Sequence, residues 1–191
     1  MASQLLSVEV DKKTLAEVEY MLSTVKFGVN DALRIAANKT GETARSRVVK
    51  KIAETLTLTQ KRIKQDTKLY RANFGNLTSK VAVKSKPIPI IDFKHGVQTK
   101  TGINVTVRKG NRVKYRHQFI AKMSNGHVGI FERKLLAGGR AVARLPIEEQ
   151  YGPSIALVFH SNGEDEVFKE MAELYPRKLL EQAVFLLNKA T

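Results

Sequence analysis

The sequence contains no cysteine and no tryptophan, and the missing cysteine removes a class of chemistry. Without cysteine, the chain has no disulfide bonds, no thiolate metal ligands and no cysteine nucleophile. It also has no run of 18 or more apolar residues, which argues against a membrane-spanning helix. The first residues lack the basic and apolar stretches of a secretory signal. We therefore expect a soluble protein that is made in the cytoplasm.

Recognisable catalytic motifs are also missing. HExxH, GxSxG and a phosphate-binding loop are absent, and Gly138-Gly139 lacks a following Lys-Ser/Thr, so we interpret that stretch as a flexible loop. Adjacent acids at Glu148-Glu149 and at 164–166 are far more typical of helix starts than of a hydrolase pair. The histidines are scattered, at His95, His117, His127 and His160. We expect a protein that is not an enzyme, with no catalytic residue, no cofactor and no metal.

Positive charge is the dominant feature of the composition. The 191 residues include 33 Lys and Arg against 18 Asp and Glu, a net charge of +15. Residues 84–116 hold nine basic and one acidic residue, residues 38–71 hold ten and three, and residues 147–191 hold four and eight. The basic middle is expected to meet nucleic acid, or else the acidic end of an identical subunit. A basic surface that only contacts solvent is the third interpretation.

The hydrophobic pattern predicts helices at both ends of the chain. Asp11 is placed as an N-cap, and an apolar row at helical spacing then runs through Ala36, Val48 and Ile52. From about Leu77 the period changes to two, as in half-buried strands. Tyr115 to Met123 is predicted as one strand, Asn125-Gly126 as a type I′ turn and 127–133 as the returning strand. Pro153 is predicted as the first residue of a helix, and Pro176 is expected to kink or split the last one.

These elements predict an α+β fold, with N-terminal helices, a central mostly antiparallel β-sheet with a hairpin at Asn125-Gly126, and C-terminal helices. We expect a single domain over residues 1–191. Its parts are helical at 11–65, strand-rich at 66–147 and helical at 153–190, with a possible extended loop or arm within 84–116.

One stretch allows a DNA-reading alternative. Residues 44–65 can be laid out as helix, turn and helix, with Lys61, Arg62 and Lys64 facing a groove. The other interpretation is two helices joined by a corner that threonines cap. The first interpretation gives a sequence-independent nucleic-acid-binding protein with a helix-turn-helix-like basic element.

Residues 117–154 carry a family resemblance. The block combines Phe119-Ile120, the Asn125-Gly126 turn, Gly129-Ile130-Phe131 with Arg133, Leu145-Pro146-Ile147 and Tyr151-Gly152-Pro153-Ser154. With these residues, the chain resembles the phage minor tail protein Z family, the tail completion proteins of long-tailed phages. The order of helices, basic stretch, strands and C-terminal helix fits that family along the whole chain. We predict an assembly motif in this block, formed by Phe119, Asn125, Gly126, Arg133, Pro146, Tyr151, Gly152 and Pro153.

The resemblance implies a structural virion protein at the head-proximal end of the tail, assembled in the host cytoplasm. Its expected partners are further copies of itself in a hexameric ring, the tail terminator protein and the head–tail connector proteins. Binding to a membrane is not expected. Non-specific contact with phage DNA is also expected. A ring needs two different complementary surfaces on each subunit, which a basic middle and an acidic end can supply. We predict that the residues facing the DNA channel or a partner are Lys94, Lys100, Arg108, Lys109 and Arg112.

Overall fold

Helices lie at both ends of the chain and antiparallel strands lie between them, as the sequence predicts. The coordinates are a computed structural model that describes residues 11–23, 25, 28–94, 96–133 and 146–190, with the backbone of residues 3–6. The helices are α1 (Lys12–Met21), α2 (Gly28–Thr55), α3 (Gln60–Asp66), α4 (Ile155–Asn162) and α5 (Glu164–Ala190). The α+β class is confirmed. None of the described helices is long and apolar enough to cross a membrane.

The strands of the described residues form four small sheets rather than one, and all of their pairings are antiparallel. The strands are β1 (Ser3–Leu6), β2 (Thr67–Tyr70), β3 (Lys80–Lys84), β4 (Pro87–Pro89), β5 (Val97–Thr99), β6 (Gly102–Arg108), β7 (Asn111–Arg116), β8 (Gln118–Lys122), β9 (Val128–Arg133), β10 (Ile147–Glu149) and β11 (Tyr151–Ser154). Their orders are β1-β3-β2, β5-β6-β7, β10-β9-β8 and β11-β4. A short 3-10 helix, Ile90–Asp92, follows β4.

Helix α2 packs against α5. Small residues of α2 allow neighbouring elements to lie close to its backbone. Its N-terminal half buries Ala32, Ala36 and Ala37. A Cβ atom at Gly41 would lie 2.2 Å from Ser79 Oγ, so glycine makes room here for the chain that enters β3. Farther along, α2 buries larger side chains such as Ile52. The apolar face predicted for this helix is therefore the face that meets the rest of the fold.

Two clusters of buried side chains divide the core. The first joins the C-terminal half of α2 to β3, β6, β9, α4 and the start of α5. The second joins α1, the N-terminal half of α2 and the C-terminal half of α5. Strand β6 contributes Ile103, Val105 and Val107 to the first cluster. The segment 84–116, predicted as a possible arm, thus places its middle strand in the core.

The hairpin around Asn125-Gly126 is confirmed, but two of its predicted details are wrong. His117 has a φ of 64°, which ends β7 and starts β8, so Tyr115–Met123 is not one strand. Among the described residues, His117 is the only one other than glycine with positive φ, whereas a type I′ turn needs positive φ at Asn125. Gly126 has a φ of 85° and its N–H donates to the Met123 carbonyl at 2.9 Å. This arrangement fits a three-residue loop that closes on a left-handed glycine.

The predicted boundaries of the C-terminal helices are also corrected. Pro153 lies in β11, which pairs with β4, and α4 begins only at Ile155. Ser154 caps that helix, because its Oγ accepts a hydrogen bond from Leu157 N at 3.2 Å. Helix α5 continues through Pro176 and is not split. The predicted flexible loop at Gly138-Gly139 lies outside the described residues.

Candidate nucleic-acid interface

The five predicted basic residues are all exposed, but they do not form one group. Arg108, Lys109 and Arg112 surround the turn between β6 and β7. Lys100 lies in the turn between β5 and β6, at the other end of β6. At about 3.3 Å per residue, these two turns are roughly 20 Å apart. Lys94 follows the 3-10 helix, outside both turns.

The turn between β6 and β7 is fixed by the end of α2. Lys109 N donates to the Thr55 carbonyl at 2.9 Å, and Thr57 N donates to the Val107 carbonyl at 3.1 Å. The Thr57 hydroxyl also donates to the Thr106 carbonyl. These bonds hold the backbone of the turn on the first core cluster, while the Arg108 and Lys109 side chains extend into solvent.

Strand β7 presents three cations on one face. Arg112, Lys114 and Arg116 alternate with Val113 and Tyr115, and successive residues of a strand point to opposite sides. Tyr115 packs against the first core cluster, so the three cations lie on the outer side. The predicted set included Arg112 but omitted Lys114 and Arg116. The alternation Arg-x-Lys-x-Arg was the signal in the sequence that identifies them.

Polar residues of β6 complete this surface. Register places Arg112 beside Thr106, Lys114 beside Asn104 and Arg116 beside Gly102. Thr106 and Asn104 are half-buried, and both carry side chains that can donate hydrogen bonds to an anion. We refer to Asn104, Thr106, Arg112, Lys114 and Arg116 as the basic face.

An open cleft of about 640 Å³ adjoins the basic face at the Lys100 turn. Lys100, Lys114, Arg116 and His117 line it, and none of the described lining residues carries a carboxylate. The left-handed backbone of His117 shapes this end, and its N–H donates to the Thr101 carbonyl at 3.3 Å. The cleft therefore combines the cation of one turn with two cations of the basic face.

The basic face belongs to a long segment without acidic residues. Residues 93–131 contain no Asp or Glu, but they contain eight Lys and Arg, and all eight are exposed. Within the described parts of the chain, none of the eight makes an ion pair. Arg133, which follows the segment, places its guanidinium 4.8 Å from the centre of the Phe119 ring. The positive charge of residues 93–131 is thus free to act on an external partner.

Many charged side chains in other parts of the chain form ion pairs with each other. Lys51 Nζ lies 2.6 Å from Glu166 Oε2, and Arg47 Nε lies 2.8 Å from Glu170 Oε1. The hydrogen bond to Glu166 raises the pKa of Lys51. These pairs join α2 to α5, so the basic region of α2 meets the acidic region of α5 in the same subunit. The acidic end consequently has fewer free carboxylates for a neighbouring subunit than its composition predicts.

In the helix-turn-helix-like element at 44–65, the arginine side chains bind other parts of the fold. Helix α3 has only seven residues and leads directly into β2. Arg62 donates from Nε to Asp92 Oδ2 at 2.7 Å and from Nη1 to Asp66. Burial would lower the pKa of Arg62, but the hydrogen bonds to Asp92 and Asp66 outweigh it and raise that pKa. Arg45 donates to backbone carbonyls near the start of β2, so only the exposed lysines remain for a ligand.

The residues of the predicted assembly motif lie mainly around the β10-β9-β8 sheet. Phe119 pairs with Phe131 across the hairpin, and Arg133 covers its ring. Tyr151 OH donates to Glu149 Oε2 at 2.8 Å, which raises the pKa of Tyr151. The remaining members lie at the hairpin turn (Asn125, Gly126), before β10 (Pro146) and in β11 (Gly152, Pro153). Their role in assembly stays a prediction.

The order of helices, basic strands and helices can now be compared with known families. The family model of prophage minor tail protein Z matches residues 16–188, which is most of the chain. The chain belongs to the prophage minor tail protein Z family. Membership confirms the resemblance and indicates a structural protein of a bacteriophage tail. No curated protein and no solved structure shows significant similarity to the chain. No cluster of three or more metal-binding side chains occurs in the described part of this family member.

Proposed function

We propose that the chain is a tail completion protein, which forms a hexameric ring at the head-proximal end of the tail around the DNA channel. The observation that carries the proposal is the family match over residues 16–188. In this role the protein is not an enzyme. It finishes the tail and provides a surface for the tail terminator and the head–tail connector proteins.

The distribution of charge and apolar surface supports two different roles for the two ends of the molecule. The elements of the second core cluster expose large apolar side chains, including Tyr20 on α1 and Val184 and Phe185 on α5. Exposed apolar side chains of this size are typical of protein–protein contacts when they lie together. The β5-β6-β7 sheet instead exposes cations. In the proposed ring, the helical end contacts neighbouring proteins and the basic sheet faces the channel.

A complementation experiment tests this function. Phage lysates that lack the protein should accumulate heads and tails that do not join, and purified protein added later should restore plaque-forming particles. Native mass spectrometry and negative-stain imaging of the purified protein, alone and with tails, measure whether rings form. Particles that assemble normally without the protein would overturn the proposal, and protein that binds tails as single copies would overturn the ring.

Phe185 allows a test of the subunit contact with a matched control. Phe185→Ser should weaken ring formation, because Phe185 is 58% exposed at the helical end. Phe168→Ser removes a phenylalanine that is 45% exposed near the opposite end of the same helix, and rings should persist. Equal loss of rings in both variants would contradict the assignment of the contact to the helical end.

A further inference from the structure

We propose that the basic face binds the phosphate backbone of DNA without reading its sequence, with Arg112, Lys114 and Arg116 as the main contacts. The inference deepens the proposed function, on which it rests for the identity of the DNA as the phage genome. It changes the predicted channel set, because it adds Lys114 and Arg116 and leaves Lys94, Arg108 and Lys109 outside the basic face. Lys100 adjoins the contact at the cleft.

The spacing of the three cations suits a row of phosphates. Residues two apart on a strand lie about 6.6 Å from one another, so the row extends over roughly 13 Å. A duplex carries one phosphate per 3.4 Å of its axis on each strand, and because the backbone winds around the axis, neighbouring phosphates of one strand are about 6–7 Å apart, close to the spacing of the cations. The extended Arg and Lys side chains can therefore each reach a separate phosphate.

The chemistry of the surface favours phosphate over base recognition. Arg and Lys side chains bind phosphate oxygens, and Arg can do so with two parallel hydrogen bonds. The aromatic residue of β7, Tyr115, packs on the core side, so the row offers no ring on which a base could stack. Sequence-independent binding through the backbone follows from this combination.

The charges of the chain favour DNA, rather than the acidic region of a second copy of the chain, as the partner of the basic face. No carboxylate within residues 93–131 repels a polyanion, and the eight cations of this segment make no ion pair with the described residues. In contrast, Glu166 and Glu170 of α5 are already paired with Lys51 and Arg47. A second copy that used these two carboxylates would have to break the pairs to bind the basic face, whereas phosphates need no such exchange.

Exposure of the side chains is compatible with DNA that moves through a channel. Arg112, Lys114 and Arg116 are exposed, and no described ion pair fixes them. Flexible cations that contact only phosphates let a protein slide along DNA, since each contact is replaced by an equivalent one. The row can therefore keep DNA close to the protein without fixing the DNA at one position along its length.

The experiment measures the salt dependence of DNA binding for two triple variants of equal charge. Arg112→Gln/Lys114→Gln/Arg116→Gln removes the row, and Lys61→Gln/Lys64→Gln/Lys68→Gln removes three exposed lysines from α3 and β2. Both variants lose three positive charges. Fluorescence anisotropy with two labelled duplexes of unrelated sequence gives the affinity between 50 and 200 mM salt.

The row variant should have a salt slope that is less steep by about 2.7, because each phosphate contact contributes about 0.9. A fourfold rise in salt then weakens the wild-type chain about 40-fold more than the row variant. The α3 and β2 variant should keep the wild-type slope, and both duplexes should bind alike. The single variant Lys114→Gln should change the slope by about 0.9. It replaces the triple variant in this experiment if the triple variant does not fold.

Three results would overturn the inference. Equal slopes in the two triple variants would show that only net charge matters. A larger effect of the α3 and β2 variant would favour the helix-turn-helix-like alternative. Loss of rings or of tail binding in the row variant, with unchanged DNA binding, would assign the basic face to a protein partner. Ring formation and complementation are measured separately, so failure of the tail function is distinguishable from failure of DNA binding.

Discussion

Gly102, at the start of β6, is the position where one added methyl group should do most damage to the basic sheet. Its φ of 146° is a conformation that side chains rarely adopt. A Cβ atom there would lie 2.1 Å from the Tyr115 carbonyl oxygen and 2.9 Å from Arg116 Cα. Both neighbours are backbone atoms of β7, so no side-chain rotation can relieve the contact. Gly102→Ala must therefore separate the two strands or distort the turn.

The magnitude follows from these two effects. A side chain in a backbone region reserved for glycine costs about 1–3 kcal/mol, and overpacking against fixed atoms costs about 1–3 kcal/mol more. We expect that the two effects together lower the free energy of unfolding by about 3 kcal/mol. For a chain of this size that loss lowers Tm by roughly 6–12 °C.

Two other glycines provide controls that separate the effects. Gly126 has a φ of 85° and Gly96 has no positive φ in the range that strains a side chain, and an added Cβ meets no atom within 4 Å at either position. Gly126→Ala should cost about 1 kcal/mol, from backbone conformation alone. Gly96→Ala should be neutral or slightly stabilising. Urea unfolding followed by circular dichroism measures all three, and equal stability of the Gly102 and Gly96 variants would refute the reasoning.

Three further predictions concern residues whose ion pairs, burial or backbone conformation are set by the fold. Arg62→Gln should lower the free energy of unfolding by about 1–2 kcal/mol in urea titrations, because Asp66 and Asp92 lose their shared partner; no change would mean that solvent already screens these pairs. Burial raises the pKa of Tyr175, so its contribution to stability is complete below about pH 10 and is lost as the pH rises above that value. Unfolding of Tyr175→Phe should therefore depend less on pH between 9 and 11 than unfolding of the wild type, and identical profiles would contradict this. His117→Val should cost about 1–2 kcal/mol and His117→Gly should not, since φ is 64° at this position, and thermal unfolding of the two variants decides between these outcomes.

The sequence was sufficient for features that depend on local chemistry. Asp11 caps α1 as predicted, since its carboxylate accepts hydrogen bonds from Lys13 N at 2.7 Å and from the Thr14 hydroxyl at 2.9 Å. The hydrogen bond from Lys13 N is the main cause of a lowered pKa of Asp11. The apolar row of α2 and the hairpin at Asn125-Gly126 also follow from short-range patterns. Such features need only neighbours within a few positions of the chain.

Some predictions failed because the decisive contacts come from distant parts of the chain. Pro153 fits the first turn of a helix, but its neighbours Gly152 and Ser154 pair with β4 and keep it in a strand. His117 has no local signal for a left-handed backbone, and the change from the sheet of β7 to the sheet of β8 imposes it. The predicted role of the five basic residues stays a prediction, and the structure separates these residues because the turns that carry Lys100 and Lys109 lie at opposite ends of β6.

By itself, the sequence determined the α+β class, the family and the excess of positive charge, because each depends on composition or local pattern. Only the tertiary structure decided which charges are available. It pairs Lys51 and Arg47 with the acids of α5, and it leaves the cations of β7 together on one open face. The physical reason is that an ion pair forms between side chains that folding brings within a few ångströms, wherever they lie in the chain. The counts of Lys and Arg in 38–71 and 84–116 are similar, but four of the ten cations in the first segment make ion pairs with described residues, against one of the nine in the second.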